Sequence, residues 1–197
     1  MTETFSRTRR HIMTDVRSDD SKADREEIAH LAGKYLTFKL MDEEYGLEII
    51  KVQEIIGLMP ITKVPRVPVY MRGVINLRGR IIPTIDLRSK FGLDAVPDTD
   101  KTCIIVVEVM SSKGKVNVGI IVDQVAEVLD VAANEIDHAP EFGTALRTDF
   151  ILGVGIVKGA VKILLDIDKV LTSEEISTVH SVAAAQTQQQ QAQQAAQ

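Results

Sequence analysis

Tryptophan is missing from this 197-residue chain, cysteine occurs once, and the aromatic residues together make up only 4% of it. A single thiol closes no internal disulfide, so the chain is read as a protein of a reducing compartment. That residue, Cys103, lies in the apolar run 102–107, where a thiol behaves as a small buried hydrophobe rather than a nucleophile. With so few aromatics the core has to come from valine, isoleucine and leucine, and the β-branched pair favours strands. No stretch approaches the roughly 20 apolar residues of a membrane helix. The first residues, with Arg7, Arg9 and Arg10 among polar neighbours, lack the apolar segment of a secretory signal. The formal net charge of −5 and a pI near 5.4 argue against general nucleic-acid binding, which needs a surplus of lysine and arginine. A soluble intracellular protein is expected, with no membrane insertion.

The side chains of a reaction centre are missing too. The four histidines, His11, His30, His138 and His180, are scattered, and none stands with a cysteine or an acid at metal-ligand spacing. There is no Gly-x-Ser-x-Gly elbow and no phosphate loop ending in Gly-Lys-Ser/Thr. Gly153, Gly155 and Gly159 resemble a dinucleotide fingerprint only superficially, because a strand pattern follows them rather than a helix. Asp42, Glu43 and Glu44 are consecutive, without ligands converging from elsewhere, and read as a solvated turn. Asp166 is read as a strand-end residue that caps the turn after it. The expectation is a binding module with no catalytic residue, no metal and no cofactor.

What the chain does have is a duplication. Residues 71–87, MRGVINLRGRIIPTIDL, hold two β-branched runs separated by Arg78-Gly79. That pattern predicts a hairpin in which Gly79 supplies the positive φ of a tight turn. Residues 153–167, GVGIVKGAVKILLDI, repeat it 80 positions later, from Gly73 to Gly153, with Asp86 matching Asp166. The segment 46–56 likewise recurs at 119–129, shifted by 73 positions, with Gly, Val and Glu in register. The two shifts differ, so the second copy carries a longer connector around residues 134–149. Opening strands are predicted at residues 35–40 and 102–110, with turns at 41–45 and 111–115. Pro83 inside a strand run predicts an edge or a bulge. Four to five short strands per copy suit a small closed barrel, and two such halves should share an apolar interface.

Outside the repeat, residues 1–23 are polar and aperiodic and are expected to be disordered, with a short helix over residues 24–31. Residues 173–197 form an Ala/Gln-rich tail, also expected to be disordered or a frayed helix. The domain limits are therefore 1–33 for the extension, 34–172 for the folded body (barrels at about 34–93 and 100–172), and 173–197 for the tail.

In the body, Glu54 lies on a strand with partly exposed neighbours, and Arg78 stands at a hairpin tip. An acid and an arginine beside exposed aliphatics suit a specific protein contact, in which apolar anchors supply energy and charges select the partner. A solvated turn arginine and a strand surface charge are the plain alternatives, and the residues by themselves leave the choice open.

Val52-Gln53-Glu54-Ile55, followed by Gly73-Val74-Ile75-Asn76-Leu77-Arg78-Gly79 and Ile82-Pro83-Thr84-Ile85-Asp86-Leu87-Arg88, resembles the CheW family of bacterial chemotaxis coupling proteins over residues 34–172. The resemblance implies a mainly β fold: two five-stranded SH3-like barrels packed around a shared core, with short helices. It implies an adaptor, not an enzyme, that links the cytoplasmic tips of methyl-accepting chemoreceptors to the regulatory domain of the histidine kinase CheA, with other CheW-like proteins as further partners. It implies a cytoplasmic location, recruited to receptor arrays at the inner membrane. The family's receptor- and kinase-binding positions fall here on Glu54, Gly73 and Arg78, and Val52, Ile55 and Gly79 belong to the same expected surface. The chain is too short for the kinase of CheA or the receiver domain of CheV, so a stand-alone adaptor is expected. The rival readings are a CheW-like adaptor of a different receptor–kinase pathway, such as surface motility, and a small-ligand-binding or enzymatic β-barrel.

Overall fold

The computed structural model describes residues 28–111, 114–139, 149–171 and 175. The expected disordered extension, most of the predicted 24–31 helix, most of the longer connector and nearly all of the tail lie outside those residues. Of the helix, Ile28 and Ala29 are helical and His30 and Leu31 form a turn. The described strands are β1 (Gly33–Leu40), β2 (Glu43–Glu48), β3 (Val52–Gly57), β4 (Met71–Leu77), β5 (Arg80–Asp86), β6 (Cys103–Ser111), β7 (Gly114–Val122), β8 (Gln124–Val131), β9 (Ile136–Asp137), β10 (Ile151–Val157) and β11 (Ala160–Leu165). Two one-turn helices, α1 (Leu87–Lys90) and α2 (Ile167–Val170), follow β5 and β11. The carboxylates of Asp86 and Asp166 accept backbone N–H groups at the starts of these helices, as the strand-end reading of Asp166 expected. The first turn is tighter than predicted. Only Met41 and Asp42 form it, and Glu43 already belongs to β2.

The strands form two sheets, ordered β3-β6-β7-β5-β4 and β8-β1-β2-β11-β10-β9. Replacing each strand by its repeat mate turns the first five-strand order into the second, and β9 is a two-residue addition. Its counterpart in the first copy is the isolated bridge between Thr62 and Val74.

The duplication therefore governs topology, but each sheet mixes the two copies. The hairpin β1–β2 inserts between β8 and β11, and β6–β7 inserts between β3 and β5. Barrels drawn at residues 34–93 and 100–172 do not follow the sheets. Alternation along a strand states which face is buried, while either of two related repeats can supply the neighbouring ladder. Exchange leaves every opening hairpin covered on both edges. It does so through the parallel pairings β5–β7 (Thr84 with Gly119) and β2–β11 (Tyr45 with Ile163). Pro83 is likewise not at an edge: β5 is an inner strand. Its pairing with β7 begins at Thr84, so the missing N–H falls just before that ladder.

Three apolar clusters result. The largest joins both sheets through Leu36, Phe38, Leu47, Ile85, Ile105 and Ile120, and it is the shared core the halves were expected to form. From Phe38 and Tyr45 within it, a file of rings runs on through Phe91 to Phe150, with successive ring centroids 5.2–5.8 Å apart. Smaller clusters fill the barrels, around Ile75, Ile82 and Ile104 in one and around Tyr35, Leu129 and Leu164 in the other. Cys103 is buried, and burial pushes its thiol pKa up, which suits an inert packing role.

Ion pairs of opposite polarity pin the copies together. The Arg88 guanidinium, 3% exposed, lies 3.2 Å from Asp123 across the copy boundary and 3.3 Å from Asp98. In the matching place of the second copy stands an acid, Asp168, which pairs with Lys51 at 2.5 Å and accepts the Met110 N–H at 2.8 Å.

Candidate functional site

Strands β3 and β4 are the two ends of the five-stranded sheet, and β3 carries Val52-Gln53-Glu54-Ile55. A register shift against β6 between Val52 and Glu54 leaves Gln53 exposed at a bulge. The hairpin β4–β5 carries Arg78 and Gly79 at its tip. Both have positive φ, 54° and 83°, so the turn is of the primed type that matches strand twist, and the left-handed requirement extends to Arg78 as well as Gly79. Asn76 Oδ1 accepts the Gly79 N–H at 2.8 Å and holds the turn in shape.

From that tip Arg78 Nη2 donates to Glu54 Oε1 at 2.6 Å. The pair bridges one end strand to the hairpin holding the other, where no ladder closes the sheet. It is also open to solvent: the Arg78 side chain is 78% exposed and Glu54 27%. Ile55, next in the strand and on its opposite face, is 44% exposed. An exposed ion pair contributes little to stability, so its chemical capacity is selection by charge and shape.

The six sequence-predicted site residues divide by what they touch. Glu54, Arg78 and Gly79 stand together, whereas Ile55 pairs with Ile105 where Glu54 pairs with Val106, so its side chain is on the opposite face of β3. Val52 is half-buried and packs against the shared core, so it anchors the strand. Gly73 is buried, at φ 140°, and a Cβ there would lie 2.1 Å from the Thr62 carbonyl oxygen. Its place in the site is geometric. It lets the connector strand through Thr62 lie on β4, where Thr62 and Val74 exchange two hydrogen bonds of 2.9 Å.

Two features of the surface escaped the sequence reading. An open groove of about 330 Å³ runs beside the ion pair, over Leu77, Ile82 and Val106, with Gln53, Asn117 and Arg80 at its sides. Arg80 and Asn117 lie on different strands, and only the register of β5 with β7 and of β7 with β6 brings them together. The second feature is a repeat of the ion pair in the other barrel. Glu127 stands 73 positions after Glu54 and Lys158 stands 80 after Arg78, so the shifts of the duplication already carried the signal. Among the described residues, no group of three or more His, Cys, Asp or Glu side chains is placed to hold a metal ion. Nor is any helix among them long and apolar enough to cross a membrane.

Residues 34–175 match the family model described as CheW-like domain. The chemotaxis protein CheW of Klebsiella aerogenes is 42% identical over 161 residues, spanning 79% of this chain and 95% of that protein. The chemotaxis protein CheW of Rhizobium meliloti is 36% identical over 140 residues, spanning 71% and 88%. The crystal structure of the scaffolding protein TtCheW from Thermoanaerobacter tengcongensis superposes with a TM-score of 0.64 at 34% identity, covering 73% of this chain and 97% of that one.

Proposed function

Because the chain belongs to the CheW-like domain family, we propose that it is a non-catalytic scaffold of chemotaxis, coupling the cytoplasmic tips of chemoreceptors to the histidine kinase CheA. The observation that carries this reading is the Glu54–Arg78 pair, 2.6 Å long and with its arginine open to solvent. A charge pair that adds little to folding, held at fixed geometry, suits recognition of a protein surface.

Val52, Glu54, Ile55, Gly73, Arg78 and Gly79 are the proposed partner-binding set, with Val52 and Gly73 acting through backbone placement. The mechanism is geometric: a rigid two-barrel body holds kinase and receptor together, so a change in receptor conformation alters the kinase. The protein would act in the cytoplasm, recruited to receptor arrays at the inner membrane. Binding of the purified chain to a receptor signalling domain and to the regulatory domain of CheA, measured by calorimetry, tests this. Saturable binding to both is expected, and binding to neither would overturn it. An adaptor of another pathway would bind a different receptor–kinase pair in the same assay.

A further inference from the structure

The hairpins β4–β5 and β10–β11 are finished differently at their bases. In both copies the residue entering the hairpin accepts the N–H of the aspartate leaving it. The Tyr70 carbonyl takes Asp86 N–H at 2.8 Å, and the Phe150 carbonyl takes Asp166 N–H at 2.8 Å. In the second copy the side chains at that end are apolar: Val170 lies in the shared core and Phe150 packs against it. The 80-position shift puts Tyr70 and Lys90 in their places in the first copy. A hydroxyl and an ammonium thus stand where the second copy has only carbon. Glu175, four positions beyond Leu171, meets both. The Tyr70 hydroxyl donates to Glu175 Oε1, Lys90 Nζ lies 2.5 Å from the same oxygen, and that nitrogen stands 4.5 Å from the centroid of the Tyr70 ring. The Lys90 and Glu175 side chains are only 16% and 18% exposed. Burial, and then the bond to Glu175, push the Tyr70 hydroxyl pKa up, so it stays a donor.

Glu175 follows the second copy, so its carboxylate crosses the copy boundary to reach the first. There it joins two ends: Tyr70 is the last residue of the connector from β3 to β4, and Lys90 is the last of α1. That connector lies on β4 through Thr62 and Val74, in the space that Gly73 leaves. We infer that Glu175 is a clasp, by which the segment after α2 straps down the base of β4–β5 and fixes where the connector enters the hairpin that carries Gly73 and Arg78. Without the carboxylate, a part-buried ammonium and hydroxyl lose their common acceptor, which is unfavourable for both. Tyr70 then turns towards water and draws the connector off β4. Glu175 is therefore a positioning residue that acts on the partner surface through Tyr70. The clasp stands on its three contacts, and its effect on binding rests on the adaptor reading above.

Amide hydrogen exchange in the full chain reads the clasp without any partner. Glu175→Ala should raise exchange at the Thr62 and Val74 amides roughly tenfold or more. Glu175→Gln keeps an acceptor for Tyr70 but no charge for Lys90, and should fall between. The double variant Tyr70→Phe with Lys90→Val copies the apolar base of the second copy. In that background Glu175→Ala should change nothing further, which separates a clasp from general damage. If the double variant fails to fold, Tyr70→Phe replaces it, and Glu175→Ala should then add less than it does to the unaltered chain. In calorimetry with the CheA regulatory domain and a receptor signalling domain as probes, Glu175→Ala should weaken binding of at least one roughly fivefold or more. Unchanged protection of Thr62 and Val74 in Glu175→Ala, or an equal loss of it in the apolar background, overturns the clasp and leaves the adaptor reading in place. Faster exchange with full affinity for both probes overturns the link to the partner surface. If the unaltered chain binds neither probe, the adaptor reading falls and exchange alone decides the clasp.

Discussion

Lys158 Nζ lies 3.0 Å from Glu127 Oε2, repeating in one barrel the bond that Arg78 makes with Glu54 in the other. Each pair joins a terminal strand to the tip of a hairpin, and each tip has two successive residues of positive φ. The duplication has therefore kept a surface feature as well as a core. Both acids sit at a register shift, and the next residue of each strand is an exposed aliphatic, Ile55 in one copy and Val128 in the other.

Replacing Arg78 by aspartate should leave the fold intact and weaken receptor-dependent kinase activation. Aspartate tolerates the left-handed backbone that Arg78 occupies at φ 54°, and the lost pair is exposed, contributing about 0–1 kcal/mol. A thermal melt should shift by only a few degrees. Reversing both charges, with Glu54→Arg and Arg78→Glu, should restore the pair without restoring activation. Recovery by that double variant would mean that the bond alone, and not the charge shown to the partner, is what counts.

Gly73→Ala tests the geometric role. The added Cβ would meet the Thr62 carbonyl at 2.1 Å on a backbone at φ 140°, so β4 or the connector has to move. A loss of about 2 kcal/mol or more in urea unfolding is expected. Binding measured well below the melting temperature should fall too, as the connector leaves β4. A variant as stable as the parent would show that the connector is free to shift.

Hairpin exchange makes a prediction about halves. Since β1–β2 sits between β8 and β11, and β6–β7 between β3 and β5, neither copy contains the neighbours its own hairpin pairs with. Fragments 1–94 and 95–197 should each lack cooperative unfolding alone and regain it when mixed, followed by circular dichroism. Cooperative folding of either fragment by itself would contradict the exchanged topology.

Acid should loosen the contacts that β4 and α1 make, through Arg72 and Arg88, with Asp98 in the linker to β6. Arg72 donates to Asp98 at 2.7 Å and holds its carboxyl below the usual carboxylate range, with the coulombic pull of Arg72 and Arg88 adding to the effect. A folded pKa below the unfolded one gives stability that is present above the unfolded value, about 3.9. That stability is lost as pH falls through the folded value. Unfolding midpoints should thus drop below about pH 4, and Asp98→Asn should flatten that drop. An unchanged acid limb in Asp98→Asn would remove this pair from the pH response.

The strands and their duplication were legible because β-branched runs and turn glycines are local signals. Arg78 and Gly79 stand between two such runs, and the predicted hairpin is there. The exchange of hairpins was not legible. Tyr45 pairs with Ile163 rather than with a strand of its own copy, and nothing in the alternation around Tyr45 distinguishes the two. Arg80 and Asn117 were missed for the same reason, since only cross-strand register makes them neighbours. Gly73 was picked as a partner-binding residue through family resemblance, and its buried contact with Thr62 depends on a connector whose path three prolines leave unstated in the sequence.

The most direct test is kinase activity in a reconstituted mixture of receptor signalling domain, CheA and this chain. Phosphorylation by CheA should rise and come under receptor control only when all three are present, with Arg78→Asp reducing the rise. Kinase activity that responds to receptor equally well without the chain would contradict a coupling role for it.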